Sequence, residues 1–271
     1  MPENRRRGLR RSPLARVAGA LPVILVCAFL LLPLVVVAVS SFTSASNFRF
    51  PPQGFSLRWY EEVFTSPDWL GTVGTSLILA VVVAPIAVVI GTLGGYAIGA
   101  GRFPGQRALN VLFLSPLAVP GIMVGLALMY QFQSLGLRGS AVGIVIAHLI
   151  VVFPFCVRVA AVSAASLDRR LVHAARVLGA SRFRAFLTIT VPQLVPGVVA
   201  GAFLAAVISL GEVAVSVFVA GSDTTTVPVQ IYSAVQVQLE PSVAAVSTLL
   251  LVVSVATIAI LDRTVHISRF L

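Results

Sequence analysis

The sequence contains no lysine and few charges of any kind. Only 10% of its 271 residues are charged, nine residues are acidic, and all 19 basic residues are arginine. A soluble domain carries roughly 25% charged and about 45–50% apolar residues. Here 58% are apolar and the mean hydropathy is +1.02, so the chain lacks the polar surface of a soluble globule. Low charge with high hydrophobicity also excludes a disordered tail. Cysteine is nearly absent. Cys27 and Cys156 both lie inside apolar runs, which excludes a disulfide scaffold. The missing lysine excludes a standard P-loop, whose lysine reaches the nucleotide phosphates. If ATP drives this protein, another polypeptide binds it. What remains is the composition of an integral membrane protein.

The net charge of +10 and pI of about 11.3 first suggest nucleic-acid binding. The distribution argues against it. The arginines stand in short clusters between long uncharged runs, as membrane proteins place positive charge on cytoplasmic loops.

A bilayer core of about 30 Å needs about 20 mostly apolar helical residues. Uncharged runs occur at Val17–Phe48, Trp69–Gly101, Ala108–Leu137, Gly139–Val157, Ala185–Gly211 and Pro241–Leu261. They predict an all-α membrane protein with six transmembrane helices, at 18–41, 72–99, 109–132, 141–164, 194–220 and 243–262. The first run competes with a signal peptide, because arginines precede it and Ser44-Ala45-Ser46 resembles a cleavage site. A signal peptide's apolar region is only about 7–15 residues, so an uncleaved helix is the better reading. The organisation is then a basic tail at 1–17, a six-helix membrane domain at 18–262 with a long inner loop at 166–192, and a short tail at 263–271.

Arginine placement orients the chain. With both termini inside, the cytoplasm holds Arg5, Arg6, Arg7, Arg10, Arg11, Arg16, Arg102, Arg107, Arg169, Arg170, Arg176, Arg182, Arg184, Arg263 and Arg269. Arg158 snorkels to the same interface, leaving Arg49, Arg58 and Arg138 outside. The opposite topology inverts this bias, so the reading is N-in, C-in. The outer segments are 42–71, 133–140 and 221–242, and in the first Trp59 and Tyr60 read as interfacial anchors. The outer acids Glu61, Glu62, Asp68, Asp223 and Glu240 suit a cation, but the positive-inside bias alone produces such an excess.

The inner loop at 166–192 is the most patterned segment. Asp168 is a good N-cap. Leu171, Ala174, Ala175 and Leu178 follow at helical spacing, with Arg169, Arg170, His173 and Arg176 elsewhere. Gly179 suits a left-handed helix stop. Ser181 starts a second short helix with Phe183, Phe186 and Leu187 on one side and Arg182 and Arg184 elsewhere, and Pro192 marks the start of helix 5. Periodicity alone leaves two readings open, a docking element for another protein or a basic segment on anionic lipid.

The stretch His173-Ala174-Ala175-x3-Gly179-x9-Ile189-x-Val191-Pro192 resembles the EAA loop of ABC-importer permeases. Both alanines, the glycine, the isoleucine and the proline match at the family's spacing. His173 stands where that family has Glu, and Val191 where it has Leu. Residues 56–262 are similar to the polyamine-type branch, through Phe55-Ser56-Leu57-Arg58-Trp59-Tyr60, Gly101-Arg102-Phe103-Pro104-Gly105, Pro116-x3-Pro120-Gly121 and Thr224-Thr225-Thr226-Val227-Pro228. That branch is associated with spermidine and putrescine, ferric iron, thiamine or aminoalkylphosphonates.

The resemblance implies a coupling helix seated on a partner ATPase, contacted through Arg170, His173, Ala174, Ala175, Leu178, Gly179, Ala180, Arg182, Phe183 and Phe186. It also implies two ATP-binding subunits that carry ATP and Mg, a second permease (a heterodimer is favoured), an external solute-binding protein and a place in the cytoplasmic membrane. This chain itself would hold no cofactor, no metal and no catalytic group. A stand-alone secondary transporter or channel is the rival, although such proteins often show internal repeats and several intramembrane ionisable groups.

Translocation-path candidates are Pro120, Tyr130, Gln131, Ser209, Glu212 and Ser216. Pro116, Pro120 and Gly121 interrupt helix 3, and freed carbonyls in lipid need a partner in protein or a cavity. Helix 3 therefore either lines the path or carries a packing kink. Glu212 is the sole acid in a membrane run. It either attracts a cation or serves as a structural hydrogen-bonding group, and the second reading is preferred. His148 reads as a packed, hydrogen-bonded histidine, and His266 belongs to the tail. His173→Glu is expected to retain coupling; in a transport assay, complete loss would show that the partner surface requires histidine.

Overall fold

A computed structural model describes residues 13–48, 50–237 and 240–265. Arg49, the tail residues 1–12 and the tail residues 266–271, with His266 and Arg269, lie outside the described residues. Long helices carry the architecture: α1 Pro13–Ser40, α3 Pro67–Ala100, α6 Ala141–Ala165, α9 Val191–Gly211 and α12 Pro241–Val265. Shorter ones are α2 Arg58–Thr65, α4 Gln106–Leu114, α5 Gly121–Leu135, α7 Arg169–Val177, α8 Arg182–Ala185, α10 Ser216–Val219 and α11 Val227–Val237.

At the centre α3, α6 and α9 pack on one another, α3 and α6 running parallel and α9 antiparallel to both. Lipid tails are as apolar as the side chains, so helices associate there through close packing rather than exclusion from water. Gly91, Gly95 and Gly99 of α3 face α6, and a methyl group on any of them would strike Cys156, Val157, Ala160, Ala161 or Ala164. Gly197 of α9 sits against Ser163 in the same way. Leu79, Val83, Ala87, Val88, Ile144, Val152 and Ala205 fill the space between.

Both ends are closed differently. At one end Arg102, Arg107 and the arginines of α7 and α8 gather. At the other, Trp59 and Val63 of α2 join Trp69, Val227, Ala245 and Val246 in a second core. Trp59 is buried and its indole N–H donates to the Thr43 carbonyl at 2.9 Å. Tyr60 shares a 2.7 Å hydrogen bond with Ser41, and Phe42 stacks on Phe55 at 5.2 Å. The expected interfacial anchors Trp59 and Tyr60 are therefore structural: they fasten the outer segment to the ends of α1 and α12.

Two spans differ from the expectation. The third, expected at 109–132, is broken: α4 passes into a 3₁₀ turn at Ser115–Ala118, and α5 leaves at 97° to that first part. Pro116 and Pro120 cause this, since neither offers a backbone N–H, and Pro120 instead caps α5. The fifth, expected at 194–220, ends at Gly211, and its inner end extends back to Arg182 as one rod. Among the described residues, five helices are thus long and apolar enough to cross a bilayer, or six with the bent pair counted as one span.

Gly95→Leu should lower stability by about 1–3 kcal/mol, the usual cost of overpacking, because a Cβ there meets Ala160 at 2.5 Å and the Val157 carbonyl at 2.6 Å. Gly74→Ala, where nothing lies within 4 Å, is the control. Thermal unfolding in detergent checks the pair; equal midpoints would remove α3–α6 contact as the source of stability.

Candidate functional site

The arginine-rich end carries an exposed element built from local hydrogen bonds. The Asp168 carboxylate caps α7 by accepting from the Arg170 N–H at 2.9 Å. Gly179, at φ 91°, stops the helix. The Ala180 N–H donates to the Ala175 carbonyl at 3.0 Å and the Gly179 N–H to the Arg176 carbonyl at 3.1 Å, the paired bonds of a Schellman stop. Ser181 then caps α8 through the Arg184 N–H at 3.2 Å. The Arg169 guanidinium reaches across to the last carbonyl of α3, Ala100, at 2.7 Å. Gln193 of α9 accepts from the Asp168 N–H at 3.2 Å.

Those ties leave the far side of α7 bare. Leu171, Val177 and Leu178 are exposed, Leu178 to 87%, and Phe183 of α8 is 72% exposed. Ala175 and Val172 are half-buried toward the bundle, so the expected apolar face is divided between the bundle and open space. Phe186 turns inward, edge-on to Tyr96 at 5.5 Å between centroids. From Phe186 to Thr190 the helix widens into a π turn, with the Val191 N–H donating to the Phe186 carbonyl. No gap separates this turn from α9.

At the opposite end of α9 the helix breaks at Glu212. One carboxylate oxygen of Glu212 accepts from the Val215 N–H at 2.8 Å and so turns the chain into α10. Glu212 also lines a cavity of about 170 Å³ with Pro116, Val119, Gly121, Phe155 and Val215. The break is pinned from α6. His148 is fully buried, sharing a 2.8 Å hydrogen bond with Ser209 through Nδ1 and a 2.9 Å one with Ser216 through Nε2. Ser209 precedes the break and Ser216 follows it, so one imidazole clamps both sides. Further on, the Gly139 N–H donates to the Val219 carbonyl at 3.0 Å, and Gly125 of α5 lies against Phe218 and Val215.

The profile of the binding-protein-dependent transport system inner membrane component family matches residues 87–266. The chain belongs to that family. It is similar to the spermidine/putrescine transport system permease protein PotC of Escherichia coli strain K12, 32% identical over 231 residues, covering 85% of this chain and 87% of that one. It is likewise similar to the putrescine transport system permease protein PotI of the same strain, 32% identical over 237 residues and 82% of each chain. Among solved structures, the bacterial alginate ABC transporter in complex with alginate pentasaccharide-bound periplasmic protein contains a chain of the same fold, with a TM-score of 0.67, 17% identity and 93% of each chain covered. This protein is therefore a multi-pass permease subunit of an ABC importer in the cytoplasmic membrane, a transport component that works with a solute-binding protein.

Within the permease, the sequence-derived candidates fall into two groups. Arg170, His173, Ala174, Leu178, Gly179, Arg182 and Phe183 are exposed on the inner element, Ala175 and Ala180 are partly covered, and Phe186 is turned inward. Pro120, Tyr130 and Gln131 are exposed on or beside α5. Ser209 and Ser216 are buried on His148, and Glu212 alone of that set combines a cavity with a hydrogen bond. Two functional placements escaped sequence reasoning: the role of His148 as a clamp across the break, and Arg169 as the tie to α3. An isolated polar residue in an apolar run signalled the first, but its partners are 61 and 68 residues away.

His148→Leu should leave two buried hydroxyls without their partner, at about 1–3 kcal/mol each. The expected result is a lower thermal midpoint with faster amide exchange at 212–216. Unchanged exchange there would show that the break holds without the clamp.

Proposed function

We propose that this permease forms half of a translocation path for a small organic cation of the polyamine type, driven by ATPase subunits docked on α7 and α8. The observation that carries the reading is the inner element itself. It is fixed to α3 by Arg169 and to α9 by Gln193, yet Leu171, Val177, Leu178 and Phe183 are exposed. Exposed apolar residues on a firmly held short helix suit a partner surface. The arginine bias puts this end in the cytoplasm, where ATP is available.

In this mechanism two ATPases, carrying ATP and Mg, close on the coupling helices of this chain and of a second permease in a heterodimer. The push enters α8, and α8 runs without a gap through the π turn into α9. The rod delivers it to the break at Glu212. Two packings of the break region would open the path to opposite sides, and transport requires that substrate and ATPase favour them differently. The external binding protein delivers the solute.

The cationic substrate class is supported by the polyamine permeases among the relatives and by Glu212, a half-buried acid beside a cavity. Carboxylates at membrane depth mark ion and substrate paths in many transporters.

The test is ATP-driven spermidine uptake by the reconstituted complex. Gly179→Pro cannot adopt the φ of 91° and loses the bond to Arg176; Ala175→Trp adds bulk to a half-covered position. Both are expected to abolish uptake and weaken ATPase co-purification while membrane insertion stays normal. Full uptake in both variants would sink the docking model.

A further inference from the structure

The bundle-facing side of α7 borders an open recess of about 280 Å³, of whose lining residues only His173 is also an expected docking contact. Its polar lining is Tyr96 from α3, Arg169, His173 and Arg176 from α7, and Thr190 from the π turn. No acidic residue lines it. Asp168, the acid beside it in sequence, is turned onto the α7 cap. Three nitrogen bases therefore share one recess without a carboxylate among them.

Two hydroxyls add to the set. Thr190 is 3% exposed. In a helix a threonine ordinarily donates back to the carbonyl four residues earlier, as Thr188 does to Arg184 at 2.7 Å. Thr190 makes no such bond to the Phe186 carbonyl, which accepts from the Val191 N–H of the π turn. The Thr190 hydroxyl has no hydrogen bond among the described residues, and it borders the cavity. Tyr96 is held beside it by the Phe186 ring. Arg169 spends one donor on Ala100 and has others to offer, since a guanidinium carries five.

A recess of guanidinium forks and hydroxyl donors matches the oxygens of a phosphate group. Its level in the membrane narrows the source. It sits at the last turn of α3 and the start of α7, at the arginine-rich end, where helices leave the bilayer. Basic pockets between membrane helices on the cytoplasmic side take anionic lipid headgroups. We propose that the cavity binds the phosphate group of an anionic phospholipid of the cytoplasmic leaflet, and that the bound headgroup braces α7 against α3. This deepens the reading of α7 as the coupling joint and shares its assignment of the inner side.

The experiment uses the complete importer in nanodiscs of phosphatidylcholine with and without phosphatidylglycerol, released into native mass spectrometry. The wild type is expected to retain phosphatidylglycerol in preference to phosphatidylcholine. Arg176→Gln should cut that preference roughly fivefold, and His173→Gln should cut it as well through the lost ring N–H donor. Thr190→Val, nearly equal in size, should also weaken retention while leaving the thermal midpoint in phosphatidylcholine unchanged, which separates lost binding from lost folding. Equal retention of both lipids by the wild type would overturn the site. So would displacement of phosphatidylglycerol by millimolar inorganic phosphate, which would assign the recess to a soluble phosphate instead. Lipid retention is read without ATP. Failure of ATPase docking would therefore count against the coupling model alone, and failure of retention against this site alone.

Discussion

Close approach of two helix backbones, α3 and α6, is the contact on which the rest of this permease depends. A bilayer offers little drive for helices to meet, so van der Waals contact must supply it. Glycine at 91, 95 and 99 brings the backbone of α3 onto the small side chains of α6. α9 then rests on both. The inner element inherits its position from this pair, because Arg169 is tied to the end of α3. The outer break inherits its position too, because His148 projects from α6.

Irregular backbone inside the membrane follows one rule: every freed polar group needs a protein partner. The interruption between α4 and α5 uses proline, which removes donors outright. The interruption after α9 has no proline and is held by hydrogen-bond partners instead. Glu212 takes one N–H, His148 ties the two flanking serines, and Gly139 reaches Val219. The polar side chains His148, Ser209, Glu212 and Ser216 thus gather where α9 stops.

The features that could be read from sequence are those set by local interactions. Spans follow from run length, orientation from arginine, and the caps at Asp168, Gly179 and Ser181 from bonds that reach only a few residues. The break at Glu212 escaped because nothing in Leu210-Gly211-Glu212-Val213 distinguishes a helix interior from a helix end; its cause lies on α6. Pro192 stands in the first turn of α9, as its missing N–H suggests, yet a π turn joins that helix to α8 without a gap, and the run continues inward to Arg182. Trp59 and Tyr60 carry the composition of interfacial anchors, and only the tertiary contacts to Thr43 and Ser41 make them fasteners. For the inner element, spacing located the two short helices, while tertiary ties such as that of Arg169 to Ala100 lie 69 residues apart in sequence.

The π turn at Phe186–Thr190 has a mechanical meaning of its own. It holds one more residue per turn than the α-helix on either side. Each residue of an α-helix advances the winding by about 100°. Tightening this single turn would therefore swing α8 around the axis of α9 by roughly a quarter of a revolution, with little movement along that axis. The connection between the inner element and the fifth span is a swivel as well as a strut, and torque can pass through it without either helix unfolding.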